Sequence, residues 1–312
     1  MIALAFTIAG CADGRRPAEP ATTGSPSMQV EPTVSATLRQ SGFGASRVER
    51  DVEYCTGGGK PLTMDVYYPA GGSPPRPAAV YVHGGGFRSG DKSSGIGLFD
   101  APELIRRGYV VFSVNYRLAP PDSFPAAIED VKCAIRSLRA NATRYGIDAK
   151  RIGVWGTSAG GTLVALLGLA GPEADLEGKG GYPDQSSGVS AVVDMFGVAD
   201  FTSARVQQMI PAFLPGSGQQ VKELARRASP ISYASPGDPP FLILHGEKDT
   251  TLSIAQSESL DRSLNAVGVT STFVSVTNGG HGFIPSGGPI SPTRVQITEM
   301  VADFFDRYVK LD

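Results

Sequence analysis

The chain has little of what several kinds of site depend on. Its 312 residues include three cysteines, Cys11, Cys55 and Cys133, too few and too scattered for a disulfide framework or a zinc site. Small buried side chains are the expectation for Cys55 and Cys133. There are three histidines and one tryptophan, so any imidazole base must come from three positions, and Trp155 is expected to pack in the core. Neither sign of charge is in excess: the formal net charge is −2 and charged residues make up 19%. Nothing would hold the chain on a phosphate backbone, and nucleic acid is excluded as a partner on that ground. No run approaches the roughly 18 apolar residues that span a bilayer, and there is no internal repeat.

Apolar residues (41%) and glycines (39) are plentiful. The glycines gather in short clusters at the ends of apolar runs, which suits a catalytic α/β protein with tight loops. At the N-terminus, Ile8-Ala9-Gly10-Cys11 closes the apolar stretch Ile2 to Ile8 and resembles the lipobox of bacterial lipoproteins. Residues 1–11 therefore read as a signal segment whose Cys11 would carry a lipid anchor on an exported protein. No Lys or Arg precedes it, whereas a secretory signal normally has a basic leading region, so a cytoplasmic location is the alternative. Residues 12–44 read as a disordered tether rich in Pro, Ser, Thr and Gly, and residues 45–312 as one catalytic domain.

Two β-patterned runs open that domain, Val48 to Tyr54 and Leu62 to Tyr68, turned by Gly57-Gly58-Gly59 into an antiparallel hairpin. Continuous apolar runs follow at Ala78 to Val82, Tyr109 to Val114, Ile152 to Trp155, Val189 to Phe196, Phe241 to Leu244 and Ser271 to Val276. Strands apolar on both sides belong to a parallel sheet covered by helices on both faces. Helical stripes fill the gaps, at Ala127 to Tyr145, Thr162 to Leu169, Ile254 to Ala266 and Val295 to Val309. The expected fold is a mostly parallel, doubly wound α/β sheet with the N-terminal hairpin and a small lid at about residues 198–238.

Gly156-Thr157-Ser158-Ala159-Gly160-Gly161 lies between the strand ending at Trp155 and the helix Thr162 to Leu169. It reads as a nucleophile elbow, in which a strained turn lifts the Ser158 hydroxyl above the sheet and small flanking residues let backbone approach. His83-Gly84-Gly85-Gly86-Phe87 ends an earlier strand and reads as an oxyanion loop, with the N–H groups of Gly85, Gly86 and Ala159 converging on one point. A serine needs a base, and His281, on a loop after the last strand, is the choice. His83 belongs to the oxyanion loop, and His245 reads as a structural, backbone-bonded histidine. Asp249, just past a strand end, is the acid that orients His281, with Glu247 as rival. The expected substrate pocket takes in Phe87, Met209, Phe213 and Phe283. No metal site or cofactor is implied, and the number of subunits is left open.

His83 to Phe87, Asn115-Tyr116-Arg117-Leu118-Ala119-Pro120, Gly156 to Gly161, Asp249 and His281 together resemble the hormone-sensitive-lipase-like (family IV type) bacterial carboxylesterases, a resemblance that implies the α/β-hydrolase fold. The run from Phe124 through the elbow, with Ala228-Ser229-Pro230 and Pro239-Pro240-Phe241, is most similar to their lid-poor acetyl-xylan and feruloyl esterase relatives. The resemblance implies hydrolysis of short-chain acyl esters without cofactor, the substrate a small ester or an acylated carbohydrate. Thr157 departs from the commonest elbow, which has aspartate there. A peptidase of related fold and a catalytically silent binding module are the other readings.

Overall fold

The computed structural model describes residues 42–310 of the chain. The stretch read as a signal segment, with Cys11, and residues 12–41 of the expected tether lie outside the described residues. Gly42–Gly44 forms a turn whose Phe43 is buried edge-on against Tyr67, ring centroids 5.2 Å apart.

Eight strands form one sheet: β1 Arg47–Gly57, β2 Lys60–Tyr68, β3 Arg76–Val82, β4 Val110–Val114, β5 Ile147–Thr157, β6 Ala191–Met195, β7 Phe241–Gly246 and β8 Ser271–Val276, in the order β1-β2-β4-β3-β5-β6-β7-β8. The β1–β2 and β2–β4 pairs are antiparallel and the rest parallel. This is the expected α/β-hydrolase sheet. Its strands read as unbroken apolar runs because alternate side chains enter opposite cores. On β3, Ala78, Val80 and Val82 pack on one face and Ala79 and Tyr81 on the other.

Seven helices matter to the site: α1 Ala101–Arg106, α2 Ala126–Ala140, α3 Ala159–Leu169, α4 Ala204–Met209, α5 Gly218–Ala228, α6 Ala255–Ala266 and α7 Arg294–Tyr308. α2 stops short of the expected Tyr145. Asn141 turns its side-chain amide back onto the Ser137 carbonyl at 2.9 Å and leaves the helical conformation, the competition with backbone bonding that asparagine offers. A separate turn, Ala142–Tyr145, then ends at Gly146 with φ 64°, the left-handed stop that glycine allows.

One sequence expectation is overturned. Cys55 on β1 and Cys133 on α2 are joined by a disulfide across 78 residues of chain. The pair was illegible because β1 and α2 meet only when the hairpin folds over the sheet's helical layer.

The chain passes from β3 outward to β4 and then back across to β5, so β3 lies between them. The loops leaving the carboxyl ends of β3 and β5 therefore diverge around a crevice, the place where open α/β sheets bind ligands.

Candidate active site

The two glycine motifs leave those two strands. At the end of β5, Ser158 has φ 53° and ψ −117°, a conformation that a side chain adopts only when its surroundings enforce it. They do: a side chain at Gly156 would put its Cβ 2.3 Å from the Gly160 carbonyl oxygen, and one at Gly160 would lie 2.1 Å from the Val82 carbonyl oxygen. The two glycines let strand, turn and α3 close on one another, with the Ser158 N–H donating to the Met195 carbonyl at 2.9 Å. α3 starts at Ala159, so the hydroxyl stands at the helix's positive end.

Around Ser158 the structure brings three distant residues together. His281 Nε2 is 3.1 Å from Ser158 Oγ, and His281 Nδ1 is 2.7 Å from Asp249 Oδ2. Because Nδ1 faces a carboxylate, it carries the ring proton and Nε2 is left as an acceptor. The Asp249 side chain is fully buried, and its Oδ1 accepts the N–H groups of Thr251 and Leu252, each at 2.8 Å. Burial alone would raise its pKa, but hydrogen bonds from His245, His281 and the backbone outweigh this and hold the carboxyl well below the usual range. Glu247, the rival acid, is exposed and accepts from Ser275 and Thr277 instead. The His281 ring is also met edge-on by Phe196 at 4.9 Å.

The loop after β3 supplies Gly85 (φ 112°) and Gly86 (φ 60°). The N–H groups of Gly86 and Ala159 donate to no acceptor among the described residues. Gly86 and Ala159 line the cavity beside Ser158; the Gly85 N–H likewise donates to no acceptor among the described residues, while its carbonyl accepts from Arg88 and Ser89. His83 holds the loop. Burial drives its pKa down to about 4, its Nδ1 is bonded to the Gly84 carbonyl at 2.7 Å, and its ring stacks on Tyr116 at 4.3 Å. The Asn115-Tyr116-Arg117 run is a scaffold for this loop. Asn115 Oδ1 accepts the Lys92 N–H at 2.6 Å, the Tyr116 hydroxyl donates to the His83 carbonyl at 2.9 Å, and Arg117 is tied to Asp130 at 2.7 Å.

The cavity is lined by Gly86, Phe87, Ser158, Ala159, Val198 and Val206, with Met209, Ile210, Thr251 and Leu252 closing it. Its innermost part has a volume of about 20 Å³, room for one group the size of a water or a methyl. Phe87 and Met209 stand where the sequence reading put them, but Phe213 and Phe283 do not line the cavity. Phe213 lies behind Phe87, stacked on it at 3.7 Å, and Phe283 packs against Phe196 at 5.0 Å. Both are buried apolar anchors of the surrounding loops. Val198, Val206, Ile210, Thr251 and Leu252 were missed because no local pattern tells which residue of a loop faces a pocket. Thr157 turns away from the cavity, its hydroxyl 3.2 Å from that of Tyr81.

Asp194, on β6 beneath α3, is buried, and that burial raises its pKa to about 6, against the Gly197 N–H and His245. A folded-state pKa above the unfolded value means stability that is present below pH 4 and lost as pH rises to about 6. Asp194→Asn keeps an oxygen for the Gly197 N–H and loses the titration. Urea unfolding of the two proteins should give equal stability near pH 4, with the variant gaining on the wild type up to pH 6 by roughly 3 kcal/mol. A constant difference across that range would contradict it.

The profile of the BD-FAE family matches residues 64–264. The chain is similar to Esterase LipQ of Mycobacterium tuberculosis, 34% identical over 187 residues, which are 58% of this chain and 44% of that one. Esterase LipC of the same organism is 34% identical over 200 residues, 61% and 49% of the two chains. The chain thus spans about half the length of the curated relatives it matches. Among solved structures, a truncated carbohydrate esterase from gut microbiota superposes with a TM-score of 0.75 at 29% identity, over 86% of this chain and 98% of that one. A bifunctional GH43-CE protein of Bacteroides eggerthii gives a TM-score of 0.71 at 30% identity, over 83% and 35%.

Proposed function

The chain belongs to the BD-FAE family, and from that premise we propose that it is a serine esterase that removes acetyl groups, with an acylated carbohydrate as the natural substrate class. The observation that carries this is the cavity of about 20 Å³ against Ser158, whose hydroxyl is bonded to His281. Ser158 Oγ attacks the ester carbonyl carbon while His281 Nε2 takes its proton. The carbonyl oxygen becomes an oxyanion that the N–H groups of Gly86 and Ala159, with the end of α3 behind them, stabilise. As the intermediate collapses, the C–O bond to the alcohol breaks and His281 returns the proton to it. Water then repeats the two steps on the acyl-enzyme, and Asp249 stabilises the imidazolium each time. The carbohydrate esterases among the structural relatives support a sugar as the alcohol.

Rates on p-nitrophenyl acetate, butyrate and octanoate, with acetylated xylan and methyl ferulate beside them, test the reading. Acetate should be fastest, and a phosphonylating reagent should label Ser158. Met209, half-buried on α4, closes the cavity, and α4 is a short helix capped by Ser203. Met209→Ala should therefore raise the octanoate-to-acetate ratio roughly tenfold, as a few buried methylenes permit. A wild type fastest on octanoate or methyl ferulate would defeat the acetyl assignment.

We also propose that the protein is exported. The Cys55–Cys133 bond suits an oxidising compartment, and the Ile8 to Cys11 pattern agrees with it. Reduction, or Cys133→Ser, should lower unfolding stability by roughly 2–4 kcal/mol. Protein recovered from its native host with Cys55 and Cys133 as free thiols would argue for the cytoplasm.

A further inference from the structure

A second imidazole reaches the acid. His245 is the last residue but one of β7, and its side chain is fully buried. Its Nε2 lies 3.1 Å from the Leu252 carbonyl and 3.4 Å from Asp249 Oδ2, and its Nδ1 lies 2.8 Å from Ser257 Oγ on α6. Both neighbours of Nε2 can only accept, so Nε2 carries a proton and shares it between them. The Ser257 hydroxyl can then donate to Nδ1. Leu252 in turn gives its N–H to Asp249 Oδ1 and lines the acyl cavity. One ring thus joins the strand end, the acid and the cavity wall.

We propose that His245 is a positioning residue for the esterase reaction, holding the turn of residues 249–252 so that Asp249 Oδ2 meets His281 while Leu252 closes the acyl cavity. The inference rests on the esterase reading above. Without His245, Asp249 Oδ2 would be held only by His281, itself on the loop after β8. A buried polar ring at a strand end is disfavoured unless its hydrogen bonds are met, and here both nitrogens have partners, on the turn of residues 249–252 and on α6. The other groups around this turn do not replace it. Asp194 on β6 has its hydrogen bond from the Gly197 N–H, and Arg205 of α4 reaches only the Thr250 carbonyl, at 3.4 Å.

His245→Leu keeps much of the volume and removes the donor, whereas His245→Gln places an amide N–H near the position of Nε2. On p-nitrophenyl acetate, the leucine variant should lose roughly 10–100-fold in kcat, the range for removing a group that orients a functional residue. KM should stay nearly unchanged. Its acid limb of kcat/KM should move to higher pH, because Asp249 with one donor fewer stabilises the His281 imidazolium more strongly. The glutamine variant should recover most of kcat. Wild-type kcat and acid limb in the leucine variant would overturn the proposal, as would equal losses in both variants, which mark a packing role. Should the leucine variant not fold, Ser257→Ala carries the same test: kcat lowered several-fold at an unchanged melting temperature is expected, and wild-type kcat overturns it. The proton NMR signal of the His281–Asp249 hydrogen bond separates the two readings. If it stays put when His245 is replaced, the positioning role falls, whereas a wild type inactive on every ester overturns the esterase reading.

Discussion

Ser158→Ala is expected to lose roughly 10⁶-fold in kcat on p-nitrophenyl acetate with KM little changed, the scale seen when a serine nucleophile is removed. The substitution deletes one oxygen and moves nothing else. The Ser158 N–H still donates to Met195, and the tight approaches at Gly156 and Gly160 remain. The cavity, the N–H groups of Gly86 and Ala159 and the His281–Asp249 pair all survive, so binding persists and a residual rate of roughly 10³–10⁴ over water should be left. The melting temperature should be unchanged or slightly higher, since a site built for chemistry is rarely the most stable arrangement. Steady-state kinetics beside a thermal melt check both points. An alanine variant that keeps a substantial share of wild-type activity while folded would mean that another residue is the nucleophile.

Asp249→Asn is expected to lower kcat roughly 10⁴-fold at neutral pH, through the tautomer of His281 and not through any loss of packing. Asp249 Oδ1 is fixed as an acceptor by the N–H groups of Thr251 and Leu252. An asparagine must keep its oxygen there, which turns its NH₂ toward His281 Nδ1. That nitrogen then becomes an acceptor, the ring proton moves to Nε2, and Nε2 can no longer take a proton from Ser158. The same NH₂ would face the Nε2–H of His245, a donor against a donor. Glu247→Gln, with its carboxylate engaged by Ser275 and Thr277 at the surface, should leave the rate near wild type. If Glu247→Gln proved the more damaging of the two, the assignment of the acid would be reversed.

How much of this was legible depended on distance along the chain. The elbow is a local object: strand, Gly-Thr-Ser-Ala-Gly-Gly and helix are contiguous, and only small residues fit where Gly160 meets Val82. The doubly buried strands were equally plain, because both faces of each are covered and the run becomes continuous in sequence. His245 was half legible. Its position at a strand end announced a structural histidine bonded to backbone, which it is through Leu252, but its approach to Asp249 arises from a turn whose path no short pattern encodes. Phe213 and Phe283 were misplaced for the opposite reason. They are apolar and flank motifs, yet stacking on Phe87 and Phe196 draws them into the packing behind the site.

From its sequence alone, this protein's order of strands, four of its helices, its α/β-hydrolase fold and the residues able to act as nucleophile, base and acid were determined, because each rests on a pattern within one short segment. Only the tertiary structure decided the volume of the acyl cavity, the Cys55–Cys133 bond and the second imidazole beside Asp249. Each of these is a contact between segments that the sheet brings together, and its geometry is set by packing against neighbours from elsewhere in the chain.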